Sequence, residues 1–432
     1  MLRSCATPFD FMTPFEWTLP TRIVFGAGRF REAAKRARGF GKRAFVVTSR
    51  SYLPGGARAA VLDDLLAQFK RTGVECAIFG DIEPNPRANT IDRGATRLRA
   101  ANPRFVVALG GGSVMDAGKC LAMLAVNEGR IYDYAYTGPG RPRARFNHAL
   151  PLVCIPTVAA TSSETDHYAV VTEPAVRRKV TVFGNALQPA LSLIDPELTF
   201  TVPARQTVDG AFDIITHVME TYLSSQARAP FQDRLTEAVV ETVTRALPRA
   251  LARPDDLDAR SELSWCAAFA LSGSLSGRDG SFPVHALEHG LSAWTDLAHG
   301  RGLAMLLPRK MAFDSDAIPE KTIEFNRRIF GVTGASSAIE ALRRGLVVYM
   351  KDVGAWTRIS EIPLDPALGV NSKADLIEKT IAHAMEVDAV LKHGQAPFLE
   401  NIRPIRPHDA RAILDACDED GLGSFAPRVA RR

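Results

Sequence analysis

Five residues of this chain have the types and spacing to hold a metal ion. Asp213 and His217 stand four apart in the apolar run GAFDIITHVME, so a helix there presents both on one face. Gly210 lies one turn earlier on nearly the same face and leaves space. A carboxylate in the middle of such a run is costly unless it is paired. A structural Asp–His hydrogen bond would pair it, and so would a shared cation. The segment FPVHALEHGLSAWTDLAHGRGLAMLLP adds His285, His289 and His299, three of the nine histidines in the chain. His285 and His289 again share a helical face. One such histidine is ordinarily a core residue satisfied by hydrogen bonds. Three of them together with an Asp/His helix point to a shared metal site, without fixing which three of the four histidines bind.

HALEH also fits H-x-x-E-H, the inverzincin metalloprotease pattern, in which His285 and His289 bind zinc and Glu288 is the general base. That reading leaves the Asp213/His217 helix without a role. It also ignores a second signal, ALGGGSVMDAGK at Ala108–Lys119. There an apolar strand, Phe105–Leu109, runs into glycines, and a helix can start at Ser113. Such a junction clusters backbone N–H groups at a helix N-terminus, and glycine removes the Cβ atoms that would keep a phosphate away. Ser113 can add a hydroxyl donor, and Asp116 can accept from a ribose hydroxyl. The loop matches neither G-x-x-x-x-G-K-[ST] nor G-x-G-x-x-G. Without a ligand it would be only a tight turn.

The elements that must position these residues fall into two patterns. Short apolar runs at Arg43–Thr48, Glu75–Phe79, Phe105–Leu109, Leu152–Pro156 and Leu191–Ile194 alternate with helix-like stretches near Arg58–Arg71 and Pro86–Ala100. This predicts a parallel sheet covered by helices. Tyr168–Phe183 reads as a hairpin turning around Pro174 and Arg177. After about Thr201 long amphipathic stretches take over: Gln206–Ser224, Phe231–Ala252, Ala259–Ser276, Phe282–Ala293, Pro319–Phe330, Ala335–Val353 and Lys373–Met385. The expected organisation is an α/β domain over residues 1–203 and an all-α domain over 204–432.

Composition sets the frame. The chain has 432 residues, 46% hydrophobic and 23% charged, with a net charge of +5. That is ordinary for a globular protein and gives no argument for nucleic acid or membrane partners. No apolar run reaches the roughly 18 residues of a membrane span, and MLRSCATPFDFMTPFEW lacks the apolar core of a signal peptide. Cys5, Cys76, Cys120, Cys154, Cys266 and Cys417 are scattered with no C-x-x-C pair, which suits free thiols in a reducing cytoplasm.

Together these segments resemble the iron-containing, group III alcohol dehydrogenase family over nearly the whole chain. LPTRIVFGAG is similar to its opening strand, and GGGSVMDAGK matches its G-G-G-S-x-x-D-x-x-K loop. PTVAATSSE, IDPELTFTVP and the two histidine segments resemble its second cofactor segment, its interdomain junction and its metal helices. The H-x-x-E-H context looks most like the butanol-dehydrogenase-like, aldehyde-reducing branch. The resemblance implies a Rossmann-like parallel-sheet domain, an all-α domain of dehydroquinate-synthase-like architecture, and a cleft between them holding one divalent metal, Fe2+ or Zn2+. It assigns Asp213, His217, His285 and His299 as ligands and His289 as an active-site histidine outside that set. It assigns Gly111, Gly112, Ser113 and Asp116 to the pyrophosphate and ribose, and Thr157, Thr161, Asp166, Lys179, Leu198 and Thr201 to the nicotinamide and ribose pocket. It implies hydride transfer between NAD(P)(H) and a primary alcohol or aldehyde, and a homodimer or higher homo-oligomer.

Two departures stand out. Ser162 occupies the place of the glycine in the segment that commonly reads T-G-S-E in the family, and Asp166 stands where the reductase branch often has Asn. The strand ending at Thr48 is followed by Ser49, Arg50 and Ser51, with no carboxylate to bind ribose hydroxyls. The hydroxyls of Thr48, Ser49 and Ser51 and the guanidinium of Arg50 suit a 2′-phosphate, so NADP is the expected nucleotide, with NAD as the alternative. The rival reaction for such a chain is that of a lyase like 3-dehydroquinate synthase, which keeps the architecture, the cofactor and a metal. It would need a basic cluster for a phosphorylated substrate, for which Arg278 and Arg301 are the nearest candidates.

Overall fold

The computed structural model describes residues 12–225, 227–278, 280–389, 397–418 and 422. Cys5 lies outside them, as does most of the N-terminal segment read for a signal. The remaining five cysteines are unpaired thiols.

The described residues form eight strands: β1 (Arg22–Phe25), β2 (Arg43–Val47), β3 (Glu75–Phe79), β4 (Phe105–Gly110), β5 (Leu152–Pro156), β6 (Tyr168–Glu173), β7 (Arg178–Phe183) and β8 (Leu191–Ile194). Six make one sheet in the order β1-β8-β5-β4-β2-β3, every neighbouring pair parallel. β6 and β7 are a separate antiparallel hairpin. Helices α1 (Ala33–Ala37), α2 (Ala59–Arg71), α3 (Ala88–Ala101) and α4 (Gly112–Leu124) lie in the connections. β4 is buried along its whole length, as expected of a central parallel strand covered on both faces. Val46, Phe105, Val107 and Ile155 pack with Leu65 and Phe69 of α2. Each fully buried side chain of this size contributes roughly 1.5–3 kcal/mol. The strand order reverses between β2 and β4, and ligands bind such sheets at the carboxyl ends of strands beside a reversal.

The helical region contains α5 (Ala204–Ser224), α6 (Pro230–Ala252), α7 (Leu257–Ala270), α8 (Pro283–Thr295), α9 (His299–Asp314), α10 (Pro319–Phe330), α11 (Ala338–Leu342), α12 (Val348–Asp352), α13 (Lys373–Val387) and α14 (Pro407–Ala416). Helix α8 packs against α9 and α13. No helix among the described residues is long and apolar enough to cross a membrane.

The expected strands agree with the observed ones to within a residue at each end. Helix α9 was not expected. Gly300, Gly302 and Pro308 interrupt its sequence, and its buried Arg309 and Lys310 break the apolar period. Tertiary packing overrides local propensity there. The stretch 335–353 is also not one regular helix, since α11 and α12 flank a π-helical turn at Arg343–Val347. The chain forms two compact units, one of Thr18–Gly210 with Ala246–Gly273, the other including Ala211–Arg245 and the described residues from Ser274 on. This differs from a single division after residue 203. Loss of the strand pattern marks a change of secondary structure, whereas Ala246–Gly273 belongs by packing to the unit with the sheet.

Candidate active site

The candidate nucleotide residues gather at the carboxyl edge of the sheet. Ser49 and Arg50 follow β2, Gly111–Ser113 follow β4, Thr157 and Thr161 follow β5, and Leu198 and Thr201 follow β8. Gly111 caps α4 without a side-chain hydrogen bond, so no side chain competes for its first-turn amides. A Cβ on Gly112 would lie 2.4 Å from Thr161, so the close approach of these two loops requires glycine. Tyr52 and Arg58, unremarked in the sequence, tie the edge together. The Tyr52 hydroxyl donates to Thr157 Oγ1 at 2.7 Å, and Arg58 donates to the Tyr52 hydroxyl at 3.0 Å and to the Thr201 carbonyl at 3.3 Å. Nothing in a local pattern would have flagged either residue.

Asp116, Asp166 and Lys179 stand apart from this edge and its open groups. Asp116 Oδ1 accepts the Ser163 hydroxyl at 2.6 Å and Oδ2 accepts the Val170 amide at 2.9 Å. Burial pushes its carboxyl up to about 6, against the pull of Lys119. Lys119, fully buried, donates to Asp166 Oδ1 at 2.5 Å and to the Tyr168 carbonyl at 2.7 Å. Burial raises Asp166 as well, partly offset by the same lysine. Lys179 is buried on β7 opposite Thr172. These groups fasten α4 to the β5–β6 connection and the hairpin. Ser162 has φ of 63°, the left-handed region that favours glycine. Its hydroxyl offsets the strain by donating to the Ala267 carbonyl at 2.5 Å and accepting the Leu271 amide at 2.9 Å. The departure from glycine is thus tied to α7.

Beyond β2 the picture is more open. The Thr48 hydroxyl is buried and donates to the Leu109 carbonyl at 2.8 Å, which removes it from the set expected to meet a 2′-phosphate. Ser49 and Ser51 share a 2.9 Å hydrogen bond. Arg50 is 83% exposed, with Asp81 at 3.7 Å. Asp81 is a carboxylate beyond the neighbouring strand β3, so the absence of acid within Thr48–Ser51 does not describe the whole neighbourhood.

The histidines converge from three helices. Helix α5 supplies Asp213 and His217, α8 supplies His285 and His289, and α9 begins with His299. Ligand atoms of Asp213, His285 and His299 lie within 4.8 Å of one another. His217 Nδ1 is 3.4 Å from Asp213 Oδ1, and its ring stacks on His285 with centroids 4.6 Å apart. His289 stands 6.3 Å from His285 and 5.7 Å from His299 by ring centroids. Glu288, His289 and His299 make a second group within 4.8 Å. Burial holds His217 well below the usual imidazole range, and the neighbouring histidines add to this. Both effects favour the neutral imidazole, the form that binds a metal. His217 Nδ1 and His285 Nε2 are buried with no hydrogen-bond partner among the described residues. Buried polar atoms are nearly always paired, so a cation accepting these lone pairs fits the cluster. Gly210 leaves room for the chain itself, since a Cβ there would lie 2.4 Å from the Ala159 carbonyl oxygen.

Arg278 and Arg301 are committed elsewhere. Arg278 pairs with Asp233 at 2.9 Å and donates to the Thr236 hydroxyl at 3.1 Å. Arg301 donates to the Gly354 carbonyl at 3.0 Å. The basic cluster that a phosphorylated lyase substrate would need is not assembled from them.

A parallel α/β sheet with its glycine loop, an all-helical region and an Asp/His cluster define a metal-dependent dehydrogenase. The iron-containing alcohol dehydrogenase family model matches residues 20–196, and the C-terminal model of that family matches residues 207–404. NADH-dependent butanol dehydrogenase B of Clostridium acetobutylicum is 30% identical, over 85% of this chain and 93% of its own. The NADPH-dependent aldehyde reductase YqhD of Escherichia coli is 30% identical, over 87% and 94%. The crystal structure of NADH-dependent butanol dehydrogenase A from Thermotoga maritima superposes with a TM-score of 0.84 at 28% identity, covering 95% of this chain and 100% of that one. The chain belongs to the iron-containing alcohol dehydrogenase family, in the branch resembling butanol dehydrogenases. It is an NAD(P)-dependent oxidoreductase of alcohols and aldehydes that uses a divalent metal, and neither the protease nor the lyase reading is favoured.

Proposed function

We propose that the protein reduces aldehydes to primary alcohols with NADPH, using Fe2+, or Zn2+ in its place, held by Asp213, His217, His285 and His299. The observation that carries the ligand set is the pair of buried, unpartnered nitrogens, His217 Nδ1 and His285 Nε2, beside Asp213. Bound there, the metal supplies Lewis acidity to the substrate oxygen, and the nicotinamide supplies the hydride. His289 is buried beside two ligands and delivers the proton that aldehyde reduction requires, directly or through a water or ribose hydroxyl.

The amides of Gly111, Gly112 and Ser113 hold the pyrophosphate at the α4 N-terminus. Thr157, Thr161, Leu198 and Thr201 line the remainder of the nucleotide. Lys179 completes the ribose side, while Asp116 and Asp166 support the pocket from behind. Arg50 and Ser49 select NADPH. The loose Arg50–Asp81 pair is solvent-exposed and weak, so Arg50 is available to a phosphate. Unpaired cysteines suit a cytoplasmic location, and the family resemblance suggests a homodimer or higher even oligomer, which light scattering tests.

The deciding experiment is a nucleotide-oxidation screen of the metal-reconstituted enzyme over straight-chain and branched aldehydes, with NADH and NADPH compared and metal content measured alongside. Stoichiometric NADPH consumption with aldehydes is the expected result. Turnover only with NADH removes the nucleotide assignment, and consumption without bound metal removes the ligand assignment.

A further inference from the structure

Two carboxylates lie buried against the histidine cluster and are claimed by neither the ligand set nor the proton path. Glu220, on α5 one turn beyond His217, and Glu288, on α8 between His285 and His289, are both completely buried. Glu220 Oε1 accepts the Val284 amide at 2.5 Å, and Oε2 accepts the His285 amide at 3.2 Å. The same Oε2 is hydrogen-bonded to His285 Nδ1. Glu288 Oε2 is hydrogen-bonded to His299 Nδ1, and Oε1 accepts the Ser292 hydroxyl. Two different helices thus place one acid behind each of two imidazoles.

A carboxylate facing Nδ1 keeps the proton on that nitrogen and leaves the lone pair on Nε2. His285 Nε2 is the buried nitrogen without a hydrogen-bond partner among the described residues. His299 Nε2 faces Asp213 Oδ1 at 3.8 Å. His299 thus turns Nε2 toward Asp213 and Nδ1 toward Glu288, while His285 turns Nδ1 toward Glu220 and leaves Nε2 as the nitrogen without a hydrogen bond. Resting on the ligand set above, we propose that Glu220 and Glu288 are positioning residues. Each fixes the tautomer and the orientation of one ligand imidazole, Glu220 that of His285 and Glu288 that of His299.

This gives the HALEH glutamate a role distinct from a protease base. Although Glu288 groups with His289 and His299 as a candidate ligand, its contact with His299 runs through Nδ1, and its other oxygen holds Ser292. The approach of α9 to this glutamate is specific. A Cβ on Gly302 would lie 2.7 Å from Glu288 Cγ, so the helix carrying His299 can reach its acid only because Gly302 has no side chain. Partners that orient metal-bound histidines typically change metal affinity by 10- to 100-fold when removed.

The test begins on the metal-free wild-type protein. Ring 15N shifts of His285 and His299, assigned by loss of signal in single His→Gln variants, should report Nδ1–H tautomers. Nε2–H tautomers there overturn the proposal on the wild-type protein itself, whether or not the glutamate variants fold. Next, Glu220→Ala and Glu288→Ala are compared with Glu220→Gln and Glu288→Gln by chelator competition. Each alanine should weaken metal binding about 10- to 100-fold, and each glutamine, whose amide oxygen still accepts from Nδ1–H, should recover part of it. Unchanged affinity in folded alanine variants overturns the proposal. So does equal loss in the Ala and Gln variants accompanied by an equal fall in metal-free melting temperature, which would mark a purely structural role. Asp213→Ala run in parallel separates the two readings. If that variant keeps its metal, the ligand set fails, while the tautomer result still stands or falls by itself.

Discussion

Two of the buried polar clusters of the chain are built in opposite ways. Around Lys119 each carboxylate oxygen that points inward is met. Ser163 and Val170 serve Asp116, while Lys119 and Tyr168 serve Asp166. Around Asp213, two nitrogens on His217 and His285 are buried and have no hydrogen-bond partner among the described residues. A satisfied network specifies structure, whereas an unsatisfied one at this density carries a free-energy cost that a bound ligand removes. Titratable residues in both places drew notice in the sequence as site candidates. The hydrogen-bond balance sorts them: the first cluster is satisfied as a scaffold is, and the second is left as the proposed metal site would be.

The largest expected effect comes from breaking the second cluster. Asp213→Ala or His299→Ala should empty the site and lower kcat by at least about a thousandfold, since the proposed metal centre, with one of its four ligands gone, would no longer hold its ion. His289→Ala should keep its metal and lose most activity. Metal analysis beside turnover checks both, and a His289→Ala protein without metal alongside a His299→Ala protein with it would reverse the roles.

Breaking the first cluster should leave the metal alone and damage the fold. Lys119→Met strands Asp166 and Asp116 beside each other with no cation. Removing one partner of a buried ion pair costs about 3–5 kcal/mol. Adding Asp166→Asn should recover a good part of that, because the stranded charge is then gone. Thermal melts of the single and double variants, with metal content as the control, decide the matter. A Lys119→Met protein of normal stability would mean that the lysine is not what holds this cluster together.

These contrasts also show what a sequence can carry. The five strands and the hairpin were legible because apolar runs of that length, broken by turn residues, have few other uses. The helical spacing of Asp213 with His217 and of His285 with His289 was legible for the same periodic reason. Glu220 was within sight, since Asp213, His217 and Glu220 follow one helical face, but its partner lies on α8 and no local pattern joins them. Helix α9 was hidden by its glycines and proline. The commitment of Asp116 to Ser163 and Val170 is also non-local, joining residues about fifty positions apart. Ser162 showed as an oddity, and only the chain more than a hundred residues later explains it.

The segment after β2 is a third case, polar and exposed, neither satisfied inside nor empty. Ser49→Asp places a second acid near Asp81 and beside the expected 2′-phosphate. It should lower kcat/KM for NADPH by roughly ten- to a hundredfold relative to NADH, the worth of one charged hydrogen bond. If the ratio does not move, Thr48–Ser51 does not select the nucleotide.

The smallest effect sharpens the comparison most, because it concerns an orphaned oxygen that is not a site. Asp388 caps the C-terminus of α13, and its Oδ2 is buried with no partner among the described residues. Burial alone pushes its carboxyl up to about 7. Unlike the histidines it joins no group of converging ligand atoms among the described residues, so its cost should appear only as stability. The group is raised in the folded state above an unfolded value of about 3.9. The folded protein therefore holds the proton more tightly, and stability falls as pH climbs from about 4 to about 7 and then levels off. A negative charge at a helix C-terminus acts in the same direction. Asp388→Asn removes the ionisation, so its melting temperature should match that of wild type near pH 5 more nearly than at pH 8. At pH 8 the variant should be more stable by about 1–2 kcal/mol, less than the full shift implies because the residue keeps some exposure. A difference that stays constant with pH would show that the Asp388 carboxylate is paired after all, and an unpartnered oxygen would then lose its value as a sign of either strain or a site.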